Sequence, residues 1–348
     1  MTDHIVVVDL GGTTLRIGRY RPGSGQVTDV RRMPVDGLDP NPGESATRLQ
    51  QRVLRQLGRE LKDESPDSPV GIAFAGPVTA DGTVTGAPTV WGSGGPPLAL
   101  ARTLEAALDR PVLVVNDITA AAWRYARTET EPFCLITVSS GIGNKVFRDG
   151  RVLVDPAGYG GELGHWRVDP SPDAPRCDCG GRGHLGALAS GRGILAAARR
   201  GAVEDPAAFA GSGLALRCAG EPALIDNPTL VAAAVAGDRF TIGILQNALR
   251  HLAAAVTAVY SAIGVRRYPV IGGFAQAVGE LFVRLLTEQL LELGCFGLGD
   301  QQIRRMVSLG YADDDHGLIG VGHLLERRLA GTDRAAGPAG PAAPERTE

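Results

Sequence analysis

The sequence predicts an α/β chain in two lobes, on three observations. Its 348 residues, 44% hydrophobic and 21% charged, suffice for two separate cores. Short β-branched runs are followed by longer amphipathic patterns, the periods of buried strands and surface helices. A strand, a turn of small residues and a second strand occur twice, near Gly11 and again near Gly141.

The first strand is read at His4–Leu10 and resumes at Leu15–Tyr20 after Gly11-Gly12-Thr13-Thr14. Glycines there let backbone N–H groups approach an anion, the threonines add donors, and Asp9 can hold hydrated magnesium. A plain β-turn reads equally well from these residues alone. Residues 43–61 have helical spacing, and Val70–Phe74 is a strand leading to Gly76-Pro77. Residues 87–97 read as a loop, Leu98–Leu108 as a short helix and Val112–Val115 as a strand.

That strand ends in Asn116-Asp117, ahead of an Ala-rich helix expected over 119–126. Open α/β sheets place their ligands at the carboxyl ends of strands, whereas a carboxylate there can also cap the helix; both roles are compatible. Phe133–Val138 is a strand, and Ser139-Ser140-Gly141-Ile142-Gly143 makes the second turn before Lys145–Phe147. After helix 190–200 comes an irregular stretch of short helical pieces over 201–228, then the longest helix pattern, 242–263. Strand Tyr268–Ile271 leads to Gly272-Gly273, and small residues at a helix N-terminus suit an anionic nucleotide. A last amphipathic helix spans 317–328, and 330–348 has the composition of a disordered tail.

Residues 161–184 are the densest in metal-ligand chemistry. His165, Cys177, Cys179 and His184 have the types and number of a closed tetrahedral zinc site, the competing reading being a glycine-rich turn with two buried thiols. Glu162, three residues before His165, shares a face with it if the segment is helical.

A formal charge of −3 gives no basic field for nucleic acid or membrane. Five cysteines, an odd number, argue against a disulfide framework and for the cytoplasm. The start of the chain lacks the pattern of a targeting segment, and 252–265 is too short to span a bilayer.

Glu162-x-Gly164-His165, then Cys177-x-Cys179-Gly180-x-x-Gly183, then Ser190-Gly191 resembles the signature of the ROK family of sugar kinases and sugar-responsive repressors. The resemblance runs from Ile5 to about Arg328. It implies the two-lobed actin-like ATPase (ribonuclease H-like) fold with a structural zinc loop. The N-terminal lobe would be 1–117 with a returning helix 315–329, the C-terminal lobe 118–314 with its zinc loop at 161–184.

It implies ATP and Mg2+ held by Asp9, Gly11, Gly12, Thr13 and Thr14 and by Ser140, Gly141 and Gly143, with Gly272 and Gly273 under the adenosine. Asp117 would be the catalytic base. Asn116, Glu162, His165, Gly76 and Thr89 would face the ring. Zn2+ would be structural, on His165, Cys177, Cys179 and His184. A small-molecule sugar or cyclitol is the expected partner, with no nucleic acid or membrane, and a homodimer the expected assembly.

Four departures refine this. The second phosphate loop in the family usually reads Gly-Thr-Gly-Ile-Gly-Gly-Gly, where this chain has Ser139, Ser140, Asn144 and Lys145. The family's third metal-loop cysteine is His184 here. Its Cys-Leu-Glu becomes His184-Leu185-Gly186, removing a carboxylate from the anomeric end of the ring, and Thr89 stands near a usual asparagine. The expected reaction is phosphorylation of a primary hydroxymethyl group on a hexose-like ring. The favoured substrate is a C7-cyclitol (valienone, validone or valiolone type, at the 7-hydroxyl), as in aminocyclitol antibiotic pathways, or a modified hexose. The alternative is a glucokinase acting on the 6-hydroxyl. A sugar-responsive regulator is disfavoured, because only eight residues precede Asp9 where the repressors carry a winged helix-turn-helix.

Overall fold

The structure, a computed structural model, describes residues 3–331, in two compact units. All but the first two residues of the tail expected over 330–348 lie outside the described residues. The first unit runs to Arg124 and takes up the chain again at Asp315; the second is Tyr125–Asp314.

In the first unit, strands β1 (Ile5–Leu10), β2 (Thr14–Arg21), β3 (Gln26–Pro34), β4 (Val70–Phe74) and β5 (Val112–Asn116) form one sheet in the order β3-β2-β1-β4-β5. Strand β1 is antiparallel to β2 and parallel to β4, so the sheet is mixed. Every residue of β4 is buried, as expected of a strand covered on both faces. On one face Val6, Val8 and Leu10 join a core with Leu49, Val53 and Leu57. Those three lie on α1 (Ala46–Lys62). The chain continues through α2 (Pro88–Trp91), α3 (Leu100–Leu108) and α4 (Asp117–Tyr125).

The alternate residues of β1 face the C-terminal helix, His316–Leu329, where Tyr20 donates to Glu326 at 2.7 Å. A side-chain carbon at Gly320 would stand 1.7 Å from the Ala120 carbonyl oxygen, so only glycine lets this helix lie so close to α4.

Three readings are corrected in this unit. Residues 26–34 form a strand that was not expected, because its sequence, QVTDVRRMP, is mostly polar at the sheet edge. The stretch expected as a loop over 87–97 contains α2, anchored by Trp91, which is fully buried with its ring 5.4 Å from that of Phe74. The helix after β5 starts at Asp117 rather than Thr119, because the Asn116 side chain accepts from the N–H groups of Ile118 (3.1 Å) and Thr119 (3.0 Å).

The second unit repeats the pattern. Strands β6 (Phe133–Val138), β7 (Ile142–Arg148), β8 (Arg151–Val152), β9 (Tyr268–Ile271) and β10 (Val307–Leu309) are ordered β10-β9-β6-β7-β8. Here β6 is antiparallel to β7 and parallel to β9, as β1 is to β2 and β4. The recurrence of small-residue turns therefore belongs to a recurrence of whole sheets.

Helices α5 (Leu185–Ala189), α6 (Gly191–Glu204), α7 (Pro206–Ala210), α8 (Gly213–Arg217) and α9 (Asn227–Val235) precede the long α10 (Arg239–Ile263). After β9 come α11 (Gly273–Val278), α12 (Glu280–Leu293) and α13 (Asp300–Ile303). By length and composition α10 could cross a membrane, but its Leu245, Leu249, Leu252 and Val256 pack into the core of this unit with Phe282 and Leu286. It begins before the expected 242 because Asp238 caps it, accepting from Thr241 N–H at 3.0 Å. The short helical pieces expected over 201–228 are the end of α6, the one-turn helices α7 and α8, capped by Asp205 and Ser212, and a 3-10 turn at Pro222–Leu224.

Candidate functional site

In the first unit the β1–β2 turn is closed by Gly11 N–H donating to the Thr14 carbonyl at 3.0 Å, and the Thr13 and Thr14 side chains are exposed beside it. Gly12 packs on α2: a side-chain carbon there would stand 3.0 Å from the Cβ and the carbonyl oxygen of Thr89. Thr89, expected in a loop, is an exposed residue of that short helix. Asp9 is the penultimate residue of β1, and its Oδ2 accepts from Arg16, a partner the sequence did not disclose. Arg16 also donates to Asp315 at 3.3 Å, which ties this carboxylate to the start of the C-terminal helix.

At the end of β5, Asn116 and Asp117 form one hydrogen-bonded group. Asn116 Nδ2 donates to Asp117 Oδ1 (2.8 Å) and to the Gly76 carbonyl (3.0 Å), and Ile118 N–H also donates to Asp117 Oδ1 (2.8 Å). Two donors on one oxygen fix the plane of the carboxylate at a helix N-terminus. Such a carboxylate can accept a proton from a hydroxyl placed against it.

In the second unit, Ser139-Ser140-Gly141 makes the turn between β6 and β7, with Ser139 N–H donating to the Gly141 carbonyl at 2.9 Å. Gly143, expected in the loop, lies within β7 opposite Thr137, so the turn is shorter than the family pattern implies. Gly272 (φ +99°) follows β9, where a side-chain carbon would meet the Val138 carbonyl oxygen at 2.5 Å, and Gly273 opens α11. Ser140 and Gly273 line a cavity of about 710 Å³ with Asn227, Val231, Phe274 and Ala277. The α9 residues of this lining were missed, although Asp226-Asn227-Pro228-Thr229 carries both a capping box and a proline in the first turn.

The segment after Gly161 forms a single 3-10 turn, Leu163–His165, rather than an α-helical one. Glu162 precedes it and is exposed. Its Oε1 lies 3.4 Å from Lys145 Nζ.

The four expected metal ligands converge. The ligand atoms of His165, Cys177, Cys179 and His184 all lie within 4.8 Å of one another. Cys177 Sγ is 3.7 Å from His165 Nδ1, and Cys179 Sγ is 3.2 Å from His184 Nδ1. Two sulfurs and two imidazole nitrogens at such spacings match a tetrahedral ion with bonds of about 2.0–2.3 Å. Burial pushes the Cys177 thiol above its ordinary range, the penalty that a bound cation would relieve. The loop can fold this tightly because Gly181 has no side chain: a carbon there would stand 2.4 Å from the His184 ring.

The sequence profile of the ROK family matches residues 5–327. A C(7)-cyclitol 7-kinase of Streptomyces hygroscopicus subsp. limoneus is 52% identical over 337 residues, covering 95% of this chain and 96% of that one. A 2-epi-5-epi-valiolone 7-kinase of Actinoplanes sp. is 35% identical over 223 residues, 60% of each chain. A ROK family glucokinase from Streptomyces griseus, solved with glucose and AMPPNP, aligns with a TM-score of 0.70 at 22% identity, covering 92% of this chain and 98% of that one. That last likeness is one of fold.

Proposed function

This chain belongs to the ROK family, and from that premise we propose that it is an ATP-dependent kinase transferring the γ-phosphoryl group to the 7-hydroxyl of a C7-cyclitol. The observation that carries the reading is the identity with a C(7)-cyclitol 7-kinase along nearly the full length of both chains. Gly186 supports it independently. A ring lacking the sugar's anomeric hydroxyl has no use for a carboxylate there, and a site without that charge-assisted bond forfeits roughly ten- to a hundredfold in affinity for a ring that carries the hydroxyl.

In this reading Asp117 takes the proton of the attacking hydroxyl. Asn116, which both caps α4 and donates to Asp117, keeps the base oriented while holding the ring. Glu162, His165, Gly76 and Thr89 complete the ring contacts. The turns at Gly11–Thr14 and Ser139–Gly141 hold phosphates through backbone N–H groups and hydroxyls, and the cavity between Gly273 and Asn227 takes the adenosine. Asp9 is the carboxylate that would hold Mg2+, a hard cation that neutralises phosphate charge when bound. His165, Cys177, Cys179 and His184 would hold a structural Zn2+, fixing His165 so that its other nitrogen faces the ring. All five cysteines are unbridged, which suits the reducing cytoplasm. We also propose a homodimer and a place in aminocyclitol antibiotic formation.

The test is a comparison of kcat/KM for valienone-, validone- and valiolone-type cyclitols with that for glucose, using ATP and Mg2+. Cyclitols preferred by about tenfold or more are expected. A glucose value exceeding the cyclitols by that margin would replace this reading with a glucokinase.

A further inference from the structure

Between the second phosphate turn and the metal loop lies a contact that the residue roles above leave unused. Lys145 sits in the middle of β7, paired with Leu135, and its side chain is only 4% exposed. Burying an ammonium group is costly unless it is paired and hydrogen-bonded. Here Nζ donates to the Gly160 carbonyl and stands 3.4 Å from Glu162 Oε1, while the Glu162 side chain itself is 54% exposed. The amine is therefore at the base of the carboxylate, not on the solvent side of it.

The neighbouring residues make this a built arrangement. Asn144 Oδ1 accepts from Leu163 N–H at 3.1 Å, fixing the first residue of the 3-10 turn, and its Nδ2 donates to the buried Cys134 sulfur at 3.6 Å. At Gly161 (φ +73°) a side-chain carbon would stand 2.3 Å from the Asn144 carbonyl oxygen and 3.2 Å from Lys145 Cδ, so the lysine stem passes beneath a residue that has to be glycine. The two side chains that stand where the family pattern has glycine thus reach the same short segment, one through its backbone and one through its carboxylate.

We infer that Lys145 is a positioning residue for the ring: it holds Glu162 by one oxygen and so directs the carboxylate's remaining hydrogen-bonding capacity at the substrate's hydroxyls. This rests on the kinase reading above. Without Lys145, Glu162 is a solvated carboxylate on one turn of 3-10 helix, free to choose among rotamers, and each ring that binds has to order it.

The experiment is a double-mutant cycle on the full chain with Lys145→Met, Glu162→Gln and the pair, measuring KM and kcat for a C7-cyclitol, KM for ATP, and Tm. Lys145→Met is expected to raise the cyclitol KM about tenfold or more while the ATP KM moves less than about threefold. The double variant is expected to lose no more kcat/KM than Glu162→Gln alone, because the lysine acts through that carboxylate. Additive losses, or a rise in both KM values together with a fall in Tm, would make Lys145 a packing residue and overturn the inference. If Lys145→Met fails to fold, Lys145→Gln, which keeps a donor for the Gly160 carbonyl, carries the same comparison. Wild-type protein that phosphorylates neither cyclitol nor hexose removes the kinase reading and this role with it. With a wild type active on the cyclitol, a cyclitol kcat/KM that either lysine variant leaves within about threefold overturns this role alone.

Discussion

Asp117 shows how much at a single residue depends on its neighbours. Its carboxylate oxygen Oδ1 accepts from Asn116 Nδ2 and from Ile118 N–H, both at 2.8 Å. Asparagine at 117 keeps a carbonyl oxygen for those same donors, so the local structure survives while the base is lost. Asp117→Asn is therefore expected to bind the ring nearly as well as the wild type and to lose about a hundred- to ten-thousandfold in kcat. Steady-state kinetics with ATP and cyclitol measure it, and a kcat within about threefold of the wild type would remove the base from Asp117. The sequence marked this residue because a carboxylate stood at the end of a buried apolar strand. It could not mark Arg16 or Lys145, since what matters about each is a partner brought close by strand pairing and turn geometry.

At the scale of elements, short runs of mostly apolar residues made β1, β4, β5 and β6 legible, because a strand buried on both faces admits little else. Strand β3 was illegible for the converse reason: an edge strand with polar side chains carries no such run. The short helices α2 and α9 were hidden by proline and glycine, which read as loop residues until capping and the burial of Trp91 are taken into account. The metal loop was legible as a set of residue types, but its closure depends on Gly181 lying against the His184 ring. Elemental analysis is expected to find one zinc per chain, and Cys179→Ser to lower both the zinc content and Tm, because a structural ion contributes directly to folding free energy. A metal-free preparation with unchanged Tm would reduce the cluster to a glycine-rich turn.

Taken whole, the molecule is two mixed sheets of the same strand order, each with a small-residue turn after its first strand. Its net charge of −3 offers no surplus of cations to displace counterions from a duplex. No shift of double-stranded DNA is expected in gel retardation at about 0.15 M salt, with or without cyclitol; a salt-sensitive shift would reopen the regulator reading. The likeness of the two sheets was visible in the sequence only at their turns, since the strands share a pattern of burial and not of residues. A side-chain carbon at Gly186 would stand 3.1 Å from the Gly164 carbonyl oxygen, and Gly164 is itself pressed so close to β7 that a carbon on it would meet the Ile142 carbonyl oxygen at 2.1 Å. A side chain at 186 would therefore press on the Gly164 carbonyl, and the 3-10 turn would have to give by a few tenths of an ångström to admit it. Under the cyclitol reading proposed above, restoring a carboxylate at 186 is thus a change of the turn as well as of the side chain.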